Sequence, residues 1–213
     1  MTDTVVFDLD GTLLNTLDDL MDSVNYALEK CGYPPRSYEE VRAFVGNGVR
    51  LLVERAVPKG TDKSSTDRVF SAFTEHYNKN MENKTRPYDG IFELLAALKA
   101  RGIKTAIVSN KYDSAVKKLA RELFAGTIDT AIGESETVAK KPAPDGVLKA
   151  LKELGSTRAT AVYVGDSDVD AQTAKNSRLR FIGVTWGFRD RELLETFSPY
   201  AIIDRPEELL SKL

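Results

Sequence analysis

A set of short apolar runs constrains this chain more than any other feature: Thr4–Phe7, Thr105–Val108, Thr130–Ile132, Ala161–Val164 and Phe181–Val184. None alternates apolar with polar as a half-exposed strand would, so each reads as a strand buried on both faces. Segments at helical spacing lie between the later runs. In "IFELLAALKARG", Ile91, Leu94, Leu95 and Leu98 fall on one stripe, and Gly102 stops it. In "DGVLKALKELG", Val147, Leu148, Leu151 and Leu154 form the stripe, and Gly155 closes it. Strand and helix alternate from about residue 88 to the C-terminus. That pattern predicts a doubly wound α/β core on a mostly parallel sheet.

Residues 16–85 break the rhythm and read as helices alone. Leu17, Leu20, Met21, Val24, Ala27, Leu28 and Cys31 make one stripe, ended by Gly32 and Pro34-Pro35. Val49, Leu52, Val53 and Ala56 make a second; Val69, Phe73, Tyr77 and Met81 make a third. Connections in such sheets normally run to only a few residues. The expectation is therefore a Rossmann-like core of residues 1–15 and 86–213, with an all-helical cap inserted at 16–85. An insert after the first strand tip belongs over the carboxyl edge of the sheet, where α/β folds bind ligands, and so reads as a lid.

Composition narrows the partners. The 213 residues carry 30 Lys plus Arg against 32 Asp plus Glu, which gives no basic footprint for nucleic acid or anionic membrane. Cys31 is the only cysteine, so no intrachain disulfide can form and a reducing compartment fits. Asp8 and Asp10 interrupt the apolar start before it could serve as a secretory signal, and no run reaches membrane-span length. The expectation is a soluble cytoplasmic protein, as a monomer or a homodimer, that binds neither nucleic acid nor membrane.

All strands of a parallel sheet end at one edge, so residues just past their tips converge. The first run delivers Asp8 and Asp10, and "KTAIVSNK" delivers Ser109 and Asn110. "AKKPAPD" presents Lys141 in a proline-stiffened loop, and "VYVGDSDVD" delivers Asp166, with Asp170 one turn into the next helix. Each has an ordinary structural explanation: acids at a helix start, a turn, a solvated lysine pair. Together they make a coherent chemistry. Crowded carboxylates need a cation, and an oxygen-only set without His or Cys suits a hard one, Mg²⁺ above all because it also binds phosphate. Lys141 and the Ser109 hydroxyl then face an anion resting on the metal. No G-x-x-x-x-G-K-[ST] loop and no G-x-S-x-G elbow is present, and the single histidine, His76, falls in the helical insert and reads as a surface residue.

"DLDGT", "VSN", "KPAP" and "GDSDVD", in that order and spacing, resemble the four motifs of the haloacid dehalogenase superfamily. The helical insert after the first motif resembles the phosphoglycolate phosphatase-like branch, as do "FVGNGVRLLVERA" and Lys111 in "SNK". Asn15-Thr16 stands where that branch often has Asp-Ser, and Ser177-Arg178 where it usually has Ala-Gly. The resemblance implies a phosphomonoester hydrolase acting on a small phosphorylated metabolite. It makes Asp8 the nucleophile that becomes an aspartyl-phosphate and Asp10 the acid and base. Mg²⁺ would be held by Asp8, the Asp10 carbonyl and Asp166, with Asp170 supporting. Ser109, Asn110 and Lys141 would bind the phosphoryl group.

Rival readings separate on single features. Dehalogenases of the superfamily lack the second motif-one aspartate, and its phosphonate hydrolases need a cap lysine where this chain has Asn47 and Arg50. A phosphosugar mutase of the β-phosphoglucomutase kind shares every core motif, and a pyrophosphatase or a nucleotidase of the same superfamily is a further alternative. A non-enzymatic phospho-acceptor of the receiver kind has no helical insert. In the cap, Gly46, Asn47 and Gly48 precede a helix start, and Arg50 could add a bidentate donor to a substrate carboxylate. The same residues read equally well as a mobile turn and a solvated charge.

Overall fold

The computed structural model describes residues 2–213. In chain order the elements are β1 (Thr4–Phe7), β2 (Leu14–Asn15), α1 (Leu17–Lys30), α2 (Tyr38–Phe44), α3 (Val49–Ala56), α4 (Lys63–Asn80) and β3 (Arg86–Pro87). There follow α5 (Ile91–Ala100), β4 (Lys104–Tyr112), α6 (Asp113–Leu123), β5 (Thr130–Glu134) and α7 (Asp145–Leu154). The chain continues through β6 (Ala161–Gly165), α8 (Asp168–Ser177), β7 (Arg180–Val184), α9 (Arg191–Glu195), β8 (Ala201–Ile203) and a closing 3₁₀ turn, Pro206–Ser211. Two compact units result: residues up to Leu14 with Pro87–Leu213, and Asn15–Arg86.

The first unit holds a six-stranded sheet in the order β5-β4-β1-β6-β7-β8, and its neighbouring strands pair in parallel. β1 is central, so Val5, Val6 and Phe7 are buried on both sides, as their unbroken apolar run requires. Val5 and Phe7 join Ile107, Val162 and Val164 against Leu95 and Leu98 of α5 and Val116 and Leu119 of α6. Val6 joins Val108, Ile132 and Tyr163 against Val147 and Leu151 of α7 and Ala174 of α8. Helices cover both faces, and the sheet is doubly wound.

The second unit is helical, with buried stripes built from Leu17, Leu20, Val24 and Leu28; Leu52, Val53 and Ala56; and Val69, Phe73 and Tyr77. Its helix starts are capped from the sequence. Ser37 and Glu40 form a capping box on α2, and Asp62 accepts the Ser65 N–H at the head of α4. Inside this unit the buried Asp19 carboxylate accepts the main-chain N–H groups of Lys84 and Thr85. Among the described residues no helix is long and apolar enough to cross a membrane.

Two departures from the sequence reading matter for the site. β4 runs on to Tyr112, so Ser109 and Asn110 lie within a strand and not beyond its end. The register against β5 jumps between Val108 and Tyr112, which leaves residues 109–111 in an irregular stretch with their side chains available to other partners. The sheet also gains β8, whose three residues are too few to stand out as an apolar run.

Candidate active site

Asp8 follows β1 directly, and its main-chain N–H still pairs with the Val164 carbonyl of β6. The chain then turns at Gly11, where φ is +92° and a Cβ would lie 2.5 Å from an Asp166 oxygen. Only glycine lets the first motif approach the end of β6 so closely. On its other side Asp166 is packed against Gly187, where any Cβ would overlap both the Asp166 side chain and the Gly11 carbonyl. Asp166 is thereby wedged between two glycines. Its carboxylate accepts the Thr12 hydroxyl at 3.1 Å and the Phe188 N–H at 2.7 Å, while the Trp186 indole N–H holds the Thr12 carbonyl at 3.0 Å.

Lys141 connects the strand tips. Its Nζ lies 2.7 Å from Asp8 Oδ1, 2.8 Å from Asp170 Oδ1 and 3.3 Å from the Tyr163 hydroxyl, all in a buried setting. Asn110 sets where that lysine starts. Its amide donates to the Lys141 carbonyl at 3.2 Å, and its oxygen accepts the Lys141 N–H at 2.7 Å. The Asn110 side chain thus grips the lysine loop. Ser109 is buried nearby in sequence and accepts the Lys111 N–H at 3.2 Å. Asp10 pairs with Lys111, with Oδ1 3.2 Å from Nζ.

Oxygens of Asp8, Asp166 and Asp170 lie within 4.8 Å of one another. Burial, reinforced by the neighbouring Asp170 and Asp166 charges, pushes the Asp8 carboxyl well above its ordinary range against the pull of Lys141. Asp166 is pushed up to about 7 by burial and by Asp170, although the Phe188 N–H and the Thr12 hydroxyl favour its charged form. Burial works against the Lys141 cation, but Asp170 and Asp8 outweigh it and hold the ammonium well above its ordinary value. Burial also raises Tyr163, which keeps its proton and donates to Asp170 Oδ1 at 3.0 Å.

The donor set fits a hard divalent cation: oxygen atoms only, crowded, with like charges that a cation would separate. Asp170 differs from the other two. One of its oxygens serves Lys141 and Tyr163, and the other serves the N–H and the hydroxyl of Ser167, at 3.1 and 2.5 Å. Four donors fill a carboxylate's acceptor sites. Asp170 therefore orients Lys141 and the start of α8, and Asp8 and Asp166 are the carboxylates of this cluster that could hold a metal.

Tyr163, Thr12 and Ser167 did not stand out in the sequence. Tyr163 sits inside an apolar run and reads as core, yet a buried phenol must find a partner, and the acids that follow it were the place to look. In the helical unit Arg50 already has partners of its own. Its Nε lies 2.8 Å from Glu54, its Nη2 2.6 Å from Asp67, and its guanidinium covers the Phe70 ring. A residue absent from the sequence reading, Arg55, reaches the Phe44 carbonyl and the Asn47 side chain and so ties down the loop that carries Gly46 and Gly48. His76 belongs to the same unit, 3.0 Å from the Ser23 hydroxyl and stacked on Tyr26.

A family model for haloacid dehalogenase-like hydrolases matches residues 5–184, from β1 to the end of β7. The chain belongs to that family. It is 35% identical to a phosphoglycolate phosphatase of Mesorhizobium japonicum over 98% of its own length and 93% of that protein's. It is 33% identical to a phosphoglycolate phosphatase of Aquifex aeolicus, with 97% and 94% covered. The crystal structure of a Lactobacillus delbrueckii protein, described as a candidate phosphoglycolate phosphatase, superposes with a TM-score of 0.93 at 35% identity, covering 98% of this chain and 97% of that one. The chain is thus an enzyme of the haloacid dehalogenase-like hydrolases, similar from end to end to phosphatases.

Proposed function

We propose that this haloacid dehalogenase-like hydrolase is a cytoplasmic, Mg²⁺-dependent phosphomonoesterase that works through an aspartyl-phosphate on Asp8, with phosphoglycolate as its substrate. The observation that carries the reading is the 2.7 Å contact between Asp8, just past β1, and Lys141, in the loop after β5, beside Asp166 at the end of β6. A carboxylate held against a buried ammonium is poised to meet a second anion, and the phosphoryl group is that anion.

Asp8 attacks phosphorus, and the bond to the ester oxygen breaks. Asp10, two residues on, gives that oxygen its proton. In the second half-reaction Asp10, now a carboxylate, takes a proton from the water that splits the aspartyl-phosphate, which releases phosphate and restores Asp8. Lys141 and the Ser109 hydroxyl bind the phosphoryl oxygens, whose charge matters most in a loose transition state. Asn110 and Asp170 keep Lys141 in reach. Asp8, Asp166 and the Asp10 carbonyl would hold the cation, which would supply the positive charge that lets a carboxylate approach a phosphate dianion. The helical unit acts as the lid, and the Gly46-Asn47-Gly48 main chain is its candidate contact with substrate.

The test is turnover with and without Mg²⁺ on phosphoglycolate, pyrophosphate, sugar phosphates and nucleotides, with product analysis for the hexose phosphates. Phosphoglycolate should give the highest kcat/KM, and EDTA should abolish it. Isomerised sugar phosphate would point to a mutase, and a different leading ester would replace the substrate. No turnover on any ester would leave a phospho-acceptor protein.

A further inference from the structure

β4 divides its labour by alternation. Alternate side chains of an extended segment share a face. Ser109 and Lys111 are both buried, whereas Asn110 between them turns away to the main chain of Lys141. The Lys111 N–H donates to Ser109 Oγ, which fixes the spacing of the two. Ser109, whose hydroxyl is assigned to the phosphoryl group, and Lys111 are therefore both buried, two residues apart on β4. The second marker is Asp10, whose carboxylate lies 3.2 Å from Lys111 Nζ.

These two markers locate Lys111 relative to a bound ester. Ser109 marks the phosphoryl end, and Asp10 marks the ester oxygen that it protonates. Lys111 stands beside both, on the leaving-group side of the site, while Lys141 occupies the nucleophile side with Asp8 and Asp170. An ammonium has three N–H donors, so more than one anion can face it. A carboxylate on the carbon that bears the ester oxygen lies only about one hydrogen-bond length beyond that oxygen, within reach of such a donor. A lysine only 8% exposed is also costly to hold unless anions face it.

We propose that Lys111 is the residue that selects the leaving group: it receives a carboxylate carried on the ester-bearing carbon, so the enzyme prefers phosphate esters of 2-hydroxy acids over esters of neutral alcohols. The proposal rests on the assignment of Asp10 to the leaving oxygen made above. It moves charge recognition from Arg50 to the core unit, one residue beyond Asn110. Neutral alcohols of the same size leave the buried ammonium facing no substrate charge and bind less well for that reason.

The experiment compares kcat/KM for phosphoglycolate and for ethyl phosphate, its neutral counterpart, in the wild type, Lys111→Met and Lys111→Arg. The wild type should prefer phosphoglycolate. Lys111→Met should lose activity on both esters, because Asp10 loses its partner, but about 10²-fold more on phosphoglycolate, mainly through KM. Lys111→Arg should recover part of the preference. Equal losses on both esters would make Lys111 a positioning residue for Asp10 and overturn the proposal while the phosphatase reading stands. A wild type that hydrolyses both esters equally well would overturn it without any variant having to fold. Absence of hydrolysis on every ester would overturn the phosphatase reading and this proposal together.

Discussion

The strand-tip site and the loop before α3 are both rich in polar side chains, yet they satisfy them in opposite ways. At the strand tips the ties that assemble the site join residues distant in sequence: Lys141 with Asp8 and Asp170, Asp166 with Thr12 and Phe188, Asn110 with Lys141. The charges are buried and crowded, and two of the carboxylates are pushed up in consequence. Around the loop the pairs are half-exposed and confined to neighbouring elements, with Arg50 on Glu54 one turn away and on Asp67 of α4, and Arg55 on Asn47. Surface pairs of that kind are worth about 0–1 kcal/mol and ask nothing of the rest of the fold. A buried crowd of like charge is destabilising unless something binds there. The difference separates a buried, charge-crowded cluster from half-exposed pairs that tie neighbouring helices and a loop together.

The comparison breaks most decisively at Asp8. Asp8→Asn keeps the shape but removes the attacking charge, so turnover should fall by at least about 10³-fold while the circular dichroism spectrum is unchanged. Beryllofluoride should bind the wild type at Asp8 and fail to bind the variant. Near-normal turnover in Asp8→Asn would return the whole cluster to the status of the loop, a set of structural pairs. Asp10→Asn comes next. It should slow alkyl phosphates by about 10²–10⁴-fold, and p-nitrophenyl phosphate far less, because a good leaving group needs little protonation. Equal losses on both substrates would make Asp10 an organiser of the first turn.

A third test sharpens the electrostatic half of the contrast. Without metal, folded Asp166 holds a proton up to about pH 7 that the unfolded chain releases near its ordinary value of 3.8. Asp8 shifts in the same direction. Their contribution to stability is therefore fully present below the unfolded value and is lost as pH rises through the folded one. In EDTA the melting temperature should carry a falling component between about pH 4 and 7. Mg²⁺ displaces those protons, so its stabilisation should grow over the same interval and reach roughly 5–10 °C at saturation near pH 8. A Mg²⁺ shift independent of pH would mean that the cation binds elsewhere.

The sequence exposed the parts of this site that its chemistry forces to the surface of the pattern. Asp8, Asp10, Asp166 and Lys141 interrupt apolar runs or follow them, and charge at a strand tip is visible in one dimension. The doubly wound sheet was equally legible, because strands buried on both faces and helical stripes differ in period. What stayed hidden is what depends on three-dimensional approach. Tyr163 is indistinguishable from core until its hydroxyl is found 3.0 Å from Asp170. The Asn110 clamp needs the loop 31 residues on, and Thr12 meets a carboxylate 154 residues away. Arg50 was incompletely legible for the converse reason. Its partner Asp67 lies on another helix, so the sequence showed a cation without the anion that occupies it.

Arg50 also provides the smallest and most discriminating prediction. Its guanidinium is shared between Glu54 and Asp67 and rests on Phe70, so Arg50→Ala removes links within the helical unit and some packing. Those pairs are about half-exposed, which limits the cost to about 1 kcal/mol and a few degrees of melting temperature. If the division drawn between the two regions is right, KM for phosphoglycolate should change by less than about threefold, a shift of well under 1 kcal/mol in binding. KM for p-nitrophenyl phosphate, which has no carboxylate, should move by the same factor. A selective rise for phosphoglycolate alone would mean that Arg50 leaves Glu54 and Asp67 to take the substrate's carboxylate. Recognition of that charge would then belong to the helical unit, and Lys111 would be left with the task of holding Asp10. Measured side by side, Arg50→Ala and Lys111→Met assign the carboxylate to one unit or the other.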